Sequence, residues 1–392
     1  MDLKELTVSD KTVLVRVDFN VPVKDGHVTD RTRIEAAKPT IDYLTEAGAA
    51  VILMSHRGRP KGEYDEALSM EPVRVEAEKV LGREIVPMYS NVVVDDAVAR
   101  MAKELKPGEI GLLENLRFRK EEEANDPAFA KELASLADCY VNDAFGTAHR
   151  AHASNVGILE ELPSALGFLM GREVEVLSEL LNHPKRPFVA ILGGAKVSDK
   201  IAVIDHLIET CDAILIVGAM ANTFLLGEGH SMGASLVEEG EVDRARALVE
   251  KAKKEGVTLL VPSDLVVAKS IDAPQTAHTV SADAIPEDEM VLDIGEETVS
   301  RYKEVLKDAN SVVWNGPAGV FETKPFDKGT VALATILGDL SAEVVIGGGD
   351  SAAAIKQAGL EDKMSHISSG GGASLEFLEG KSLPAIAAIE EV

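Results

Sequence analysis

FVAILGGAKVSDK, Phe188 to Lys200, is the stretch that decides the fold. Five apolar residues, Phe188 to Leu192, suit a strand buried on both faces of a parallel sheet. Gly193 and Gly194 then allow a sharp turn and close backbone approach to a ligand. Ser198 is a good N-cap and Asp199 favours a first helical turn, so the spacing predicts a helix over 199–210. Lys196 and Lys200 project from this turn. Strand, glycine turn, helix N-terminus and lysines together make a seat for phosphate. The pattern is not a P-loop, which needs Gly, four residues, then Gly-Lys-Ser/Thr. An ordinary βα turn with solvated lysines fits the same residues, and the rest of the chain has to decide.

Outward from this stretch, short apolar runs alternate with helical patterns along the chain. That is the signature of an α/β fold with mainly parallel sheets flanked by helices. At 392 residues, two domains are expected. Forty basic against 66 acidic residues give a formal net charge of −26, which argues against nucleic acid as a partner. Cys139 and Cys211 open apolar runs and read as buried thiols, as in a reducing cytoplasm. The N-terminus has no cationic stretch leading into an apolar core, and no run is long enough to span a membrane.

In the first half, Thr12 to Phe19 is a strand ending in RVDFNVP, which puts Asp18 and Asn20 at its carboxyl end. A helix over 31–47 follows, with Arg33 in its first turn, where a cation is unfavourable unless an anion sits nearby. The strand Ala49 to Met54 runs into SHRGRPKG, carrying His56, Arg57, Arg59 and Lys61. This loop reads either as solvated or as an anion site built on arginine. Helices are expected over 70–81 and 95–105. Ile110 to Leu113 leads to Arg117 and Arg119, and Glu121, Glu122 and Glu123 read as a solvated acidic run. The strand Asp138 to Asn142 leads to His149, Arg150 and His152, with no further ligand at zinc spacing. Ligands of open α/β sheets bind at strand carboxyl ends, so Arg33, His56, Arg59, Arg117 and Arg150 are expected to converge. Unfilled, such a cluster repels itself, and a multiply charged anion would settle it. Asp18 and Asn20 would then bind neutral hydroxyls of the same ligand.

One helical pattern covers 165–182 and exits through Pro184 and Pro187, a domain boundary suited to a hinge. Beyond it, the strand Asp212 to Val217 meets Gly218 and a small, apolar segment, read as pocket lining or core. A helix is expected over 242–255, a strand over 257–262, and a loop or irregular hairpin over 270–289. VLDIG, a strand, precedes a helix over 296–307. WNGPAGVFE has a rigid turn at Asn315-Gly316-Pro317, then Glu322, which reads as a ribose ligand or as surface. GGGDSAAA places Asp350 and Ser351 at a helix start after a strand; the aspartate is either a cap or a Mg²⁺–phosphate ligand. Gly370 to Gly372 open another helix.

RVDFNVP, SHRGRP, LLENLRF, NDAFGTAHRAHAS, FVAILGGAKVSDK, VVWNGPAGVFE, GGGDSAAA and SSGGGASLEFLEGK, spanning Arg16 to Lys381, together resemble the phosphoglycerate kinase family in order and spacing. The resemblance implies a phosphotransferase with a carboxyl acceptor (EC 2.7.2.3) in glycolysis and gluconeogenesis. It would move a phosphoryl group between 1,3-bisphosphoglycerate and ADP, giving 3-phosphoglycerate and ATP, in line and on domain closure. It implies two Rossmann-like domains. Residues 1–170 would bind phosphoglycerate, 171–187 would form the connecting hinge helix and 188–370 would bind nucleotide. About 371–392 would return to the first domain. Asp18, Asn20, Arg33, His56, Arg59, Arg117 and Arg150 would hold phosphoglycerate. Arg33, Lys196, Gly349 and Gly372 would serve the transferring group. Gly194, Lys196, Lys200, Gly218, Pro317, Glu322, Gly349, Asp350 and Ser351 would take the nucleotide, with Asp350 on Mg²⁺. A cytoplasmic monomer is expected, with no nucleic-acid or membrane partner. Arg57 stands where the family pattern leads one to expect leucine, adding charge near the anion loop. A hinged anion-binding protein without catalysis explains the arginines but not Lys196, Lys200 and Asp350. Another carboxylate kinase fits the chemistry but not the motif order.

Overall fold

The computed structural model describes residues 2–390. The chain divides into two compact units, residues 1–175 with 382–392, and residues 176–381.

The first unit is built on β1 (Thr12–Arg16), the hairpin β2 (Val23–Lys24) and β3 (His27–Val28), β4 (Ala50–Met54), β5 (Ile85–Met88), β6 (Ile110–Leu113), β7 (Cys139–Asn142) and β8 (Ser164–Leu166). Its helices are α1 (Thr32–Glu46), α2 (Glu71–Leu81), α3 (Asp96–Glu104), α4 (Lys120–Glu123), α5 (Pro127–Ala134) and α6 (Phe168–Asn182), the last crossing into the second unit. The sheet runs β5-β6-β4-β1-β7-β8, all parallel. β1 sits between β4 and β7, so loops leaving those strands gather at one edge, the usual ligand position in such sheets. Every residue of β4 and β6 is buried, because helices cover both faces. Asp95 caps α3 by accepting from the amides of Ala97 and Val98, and left-handed Gly82 ends α2.

The second unit has β9 (Phe188–Leu192), β10 (Ala213–Ile216), β11 (Thr258–Leu260), β12 (Asp264–Ala268), β13 (His278–Ser281), β14 (Met290–Ile294), β15 (Ser311–Asn315), β16 (Glu343–Gly347) and β17 (His366–Ile367). Its helices are α7 (Ile201–Leu207), α8 (Met220–Glu228), α9 (Val242–Glu255), α10 (Glu296–Leu306), α11 (Lys328–Gly338), α12 (Gly349–Ala358) and α13 (Gly371–Leu378). The parallel sheet β11-β10-β9-β15-β16-β17 again centres on its first strand. An antiparallel sheet, β13-β12-β14, is inserted between β11 and β15. Its middle strand, Asp264–Ala268, is absent from the sequence reading, and the expected hairpin over 270–289 contributes only His278–Ser281.

Two further expectations need correction. The helix after FVAILGG begins at Ile201, not 199, because the Ser198 side chain does not cap it. Its hydroxyl donates instead to Glu238 at 2.6 Å. The segment returning to the first unit starts at Ser382 rather than near 371, since α13 packs with α7 and β16. In the return segment, α14 (Pro384–Glu390) buries Ile389 in the first unit's core, and Ala385 N donates to Ala148 O at 3.1 Å.

Candidate functional site

In the first unit, β1, β4, β6 and β7 end side by side. Their loops are stitched together by side chains. Ser55 Oγ accepts from Phe19 N at 2.9 Å, and Asn20 Oδ1 accepts from Gly58 N at 3.0 Å. Asn115 Oδ1 accepts from the amides of Arg57 and Arg117, both at 3.1 Å. Arg117 Nη1 donates to Gly58 O at 2.9 Å.

On this frame the cations collect. Arg33 Nη1 reaches Asp18 Oδ2 at 2.9 Å and Asn20 O at 3.3 Å. Burial, with Arg16, Arg117, His152 and Arg33 around it, holds His56 well below the ordinary histidine range. His152, buried near Arg16, Arg117 and Arg150, is pushed down to about 4. Both imidazoles are therefore neutral at pH 7. Arg117 is buried and feels the charges of Arg16 and Arg150, while Arg150 is exposed. Of the expected set, Asp18, Asn20, Arg33, His56, Arg117 and Arg150 stand together. Arg59 lies on the same loop and is exposed.

Three charged residues behave differently from expectation. Arg57 adds nothing to the anion loop: it is buried, and Nη1 donates to Ser69 O at 2.7 Å, near Glu114. Glu122 is not solvated but fully buried, accepting from Ser154 Oγ at 2.5 Å and Ser154 N at 3.0 Å. Arg16, read only as part of a strand, is fully buried among them. A buried glutamate needs partners. Here the partner is Ser154, 32 residues downstream, so no local pattern signals it.

In the second unit, the turns after β9, β10 and β15 interlock through backbone alone. Gly193 N donates to Asn315 O at 2.9 Å, Gly218 N to Ala318 O at 3.1 Å and Met220 N to Gly194 O at 3.0 Å. A Cβ on Gly218 would lie 2.6 Å from Gly194 N, and one on Gly316 2.2 Å from Gly193 O. Only glycine fits such contacts. These turns wall a cavity of about 210 Å³ with a largely apolar lining that includes Gly194, Gly218, Pro317, Phe321, Glu322 and Asp350. Asp293, which the sequence reading passed over, also lines it. Burial raises Asp293 to about 7, although its carboxylate accepts from Ile294 N and Gly329 N.

Lys200 is buried and donates to Asn315 Oδ1; burial lowers it to about 8, against the pull of Asp199, Asp350 and Glu379. Lys196 is exposed, with Glu238 nearby. α12 and α13 begin close together: a Cβ on Gly371 would sit 3.5 Å from Gly349 N. The amides of Gly349, Asp350 and Ser351 precede the first intrahelical bond, Ala352 N to Gly348 O, and so are free for an anion. Ser351 Oγ is already used, accepting from Gly316 N at 2.6 Å. Gly372, in the first turn of α13, is exposed.

Among the described residues no group of three or more His, Cys, Asp or Glu is placed to hold a metal. Asp350 is an exposed carboxylate at the cavity, in the first turn of α12. That donor set fits Mg²⁺, which commonly takes one or two carboxylates and completes its shell with phosphate oxygens and water.

A family model described as phosphoglycerate kinase matches residues 3–381. A phosphoglycerate kinase of Moorella thermoacetica is 54% identical over 391 residues, covering 100% of this chain and 99% of that one. One of Finegoldia magna is 52% identical over 389 residues, covering 99% and 98%. Among solved structures, phosphoglycerate kinase from Coxiella burnetii superimposes with a TM-score of 0.90 at 40% identity, over 100% of this chain and 99% of that one. The Pyrococcus horikoshii enzyme gives 0.84 at 33% identity, over 100% and 98%.

Proposed function

This chain belongs to the phosphoglycerate kinase family, and on that premise we propose how its residues divide the reaction. The activity is reversible phosphoryl transfer from 1,3-bisphosphoglycerate to ADP, giving 3-phosphoglycerate and ATP. The attacking group in the reverse direction is a carboxylate, already a nucleophile, so no general base is required.

Asp18, Asn20, Arg33, His56, Arg59, Arg117 and Arg150 hold phosphoglycerate. The observation that carries this is the crowding of Arg33, His56, Arg117 and Arg150 at one sheet edge, a charge arrangement that a multiply charged anion relieves. In the second unit, Gly194, Gly218 and Pro317 border the adenosine and Glu322 takes the ribose. Lys200 and the α12 amides of Gly349 and Ser351 hold the phosphates. Asp350 holds Mg²⁺, which when bound shares the phosphate charge. Arg33, Lys196 and the amides of Gly349 and Gly372 stabilise the transferring phosphoryl group. A loose transition state spreads charge over its equatorial oxygens, so donor placement accounts for most of the catalysis. The same reading places the enzyme in the cytoplasm as a monomer; its two free, buried cysteines are consistent with a reducing compartment.

Calorimetric titration of the full chain tests the division. Arg150→Ala should weaken 3-phosphoglycerate and spare MgADP, and Asp350→Asn should do the reverse. The opposite pattern would contradict the assignment.

A further inference from the structure

Beneath the cationic edge of the first unit runs a chain of buried hydrogen bonds. Arg16, the last residue of β1, donates from Nη2 to His56 Nδ1 at 3.1 Å and from Nε to Ser154 Oγ at 2.9 Å. Its Nη1 donates to the Val17 carbonyl at 2.5 Å. Ser154 passes its own hydroxyl proton toward Glu122 Oε1 at 2.5 Å, while Ser154 N donates to Glu122 Oε2 at 3.0 Å. Arg16, Ser154 and Glu122 are all fully buried.

The polarity of the links from Arg16 is forced. A guanidinium has donors only, so His56 Nδ1 must accept. A neutral ring accepting at Nδ1 carries its proton on Nε2. Ser154 Oγ has one proton; with Arg16 as its donor, that proton points at Glu122. Glu122 then acts only as an acceptor, which suits a carboxylate. Burial raises its carboxyl on balance, against the pull of Arg16, the Ser154 donors and Arg117. The charged and titratable groups around His56 are Arg16 from β1, Arg117 after β6, His152 after β7 and Arg33 on α1. All oppose a positive charge on the ring.

We propose that Glu122, Ser154 and Arg16 form a positioning relay that holds His56 as its Nε2–H tautomer, giving the substrate anion a fixed, neutral donor. This rests on the reading of His56 as a phosphoglycerate ligand. A protonated imidazole would bind the anion more strongly but would vary with pH; the relay exchanges that charge for a constant proton position.

The test is ¹⁵N-histidine NMR of the full chain at pH 7, with kinetics on the same samples. His56 should show a protonated Nε2 and a bare Nδ1; a ring protonated at Nδ1 overturns the proposal. Ser154→Ala should mix the two tautomers and raise the phosphoglycerate KM about tenfold, the scale of one charge-assisted hydrogen bond. kcat and the ADP KM should stay. Glu122→Gln keeps the shape and should mix the tautomers too, if Ser154→Ala does not fold. In a His56→Gln background, whose amide donor has no tautomer, Ser154→Ala should leave KM unmoved; an equal rise there overturns the relay. If His56→Gln itself leaves the phosphoglycerate KM unchanged, the ligand reading falls and takes the proposal with it. If His56→Gln is impaired while Ser154→Ala keeps the wild-type tautomer, only the relay falls.

Discussion

Replacing Gly316 by alanine puts a methyl group where the turns of the second unit have no room. Gly316 has φ +101°, a region L-residues rarely adopt. Its Cβ would lie 2.2 Å from Gly193 O and 2.3 Å from Gly193 C. Both are backbone atoms, so no side-chain rotation relieves the contact. The conformational cost is about 1–3 kcal/mol, and forcing extra volume into packed structure adds about 1–3 kcal/mol. Gly194→Ala is the control. It shares the conformational cost at φ +118°, but a Cβ there meets nothing within 4 Å. Gly316→Ala should therefore be less stable than Gly194→Ala by about 1–3 kcal/mol. For a unit of this size that is roughly 2–12 °C in melting temperature. Differential scanning calorimetry of the two variants, without ligands, reads this difference. Equal melting temperatures would refute the idea that backbone interlock, rather than backbone angle alone, demands glycine at 316.

Lys196→Ala should lower kcat by about two to three orders of magnitude, the scale of losing one charge-stabilising donor; because Lys196 is exposed, the melting curve should hardly move. Unchanged turnover would remove Lys196 from catalysis. Arg59→Ala should raise the phosphoglycerate KM and leave ADP affinity alone, checked by initial-rate kinetics and ADP titration. Lys200 gives a pH signature: its folded value of about 8 lies below the ordinary lysine value. Above pH 8 the folded chain thus holds fewer protons than the unfolded one, so this residue's contribution to stability rises with pH through that window and is lost as pH falls through 8. A phosphate beside the ammonium restores its proton, so ADP binding at pH 9 should take up a proton. Calorimetry in buffers of different ionisation heat measures this, and Lys200→Met should abolish it.

The strand-to-loop junctions were legible because strands buried on both faces read as unbroken apolar runs, as Phe188–Leu192 and Ala50–Met54 do. Their glycine-rich exits marked the walls of the second unit's cavity. What stayed hidden depended on distant partners. Glu122 sits in a run of three glutamates that looks solvated, and only Ser154 and Arg16 reveal its burial. Arg57 looked like an anion ligand because its neighbours do, yet its guanidinium turns to Ser69 O. Ser198 had the chemistry of a cap and found Glu238 instead. Asp264–Ala268 was passed over as a strand, although it carries both antiparallel pairings of the inserted sheet. Asp293 gave no signal, since a lone aspartate in a strand shows neither its burial nor the amides it receives.

The most direct measurement is the formation of ATP from 1,3-bisphosphoglycerate and ADP by the purified chain, followed by a coupled assay with Mg²⁺ and again after chelation. ATP should form steadily with the metal, cease without it and resume when Mg²⁺ is added back. Binding of both ligands with no ATP formed under any metal condition would contradict phosphoryl transfer by this chain.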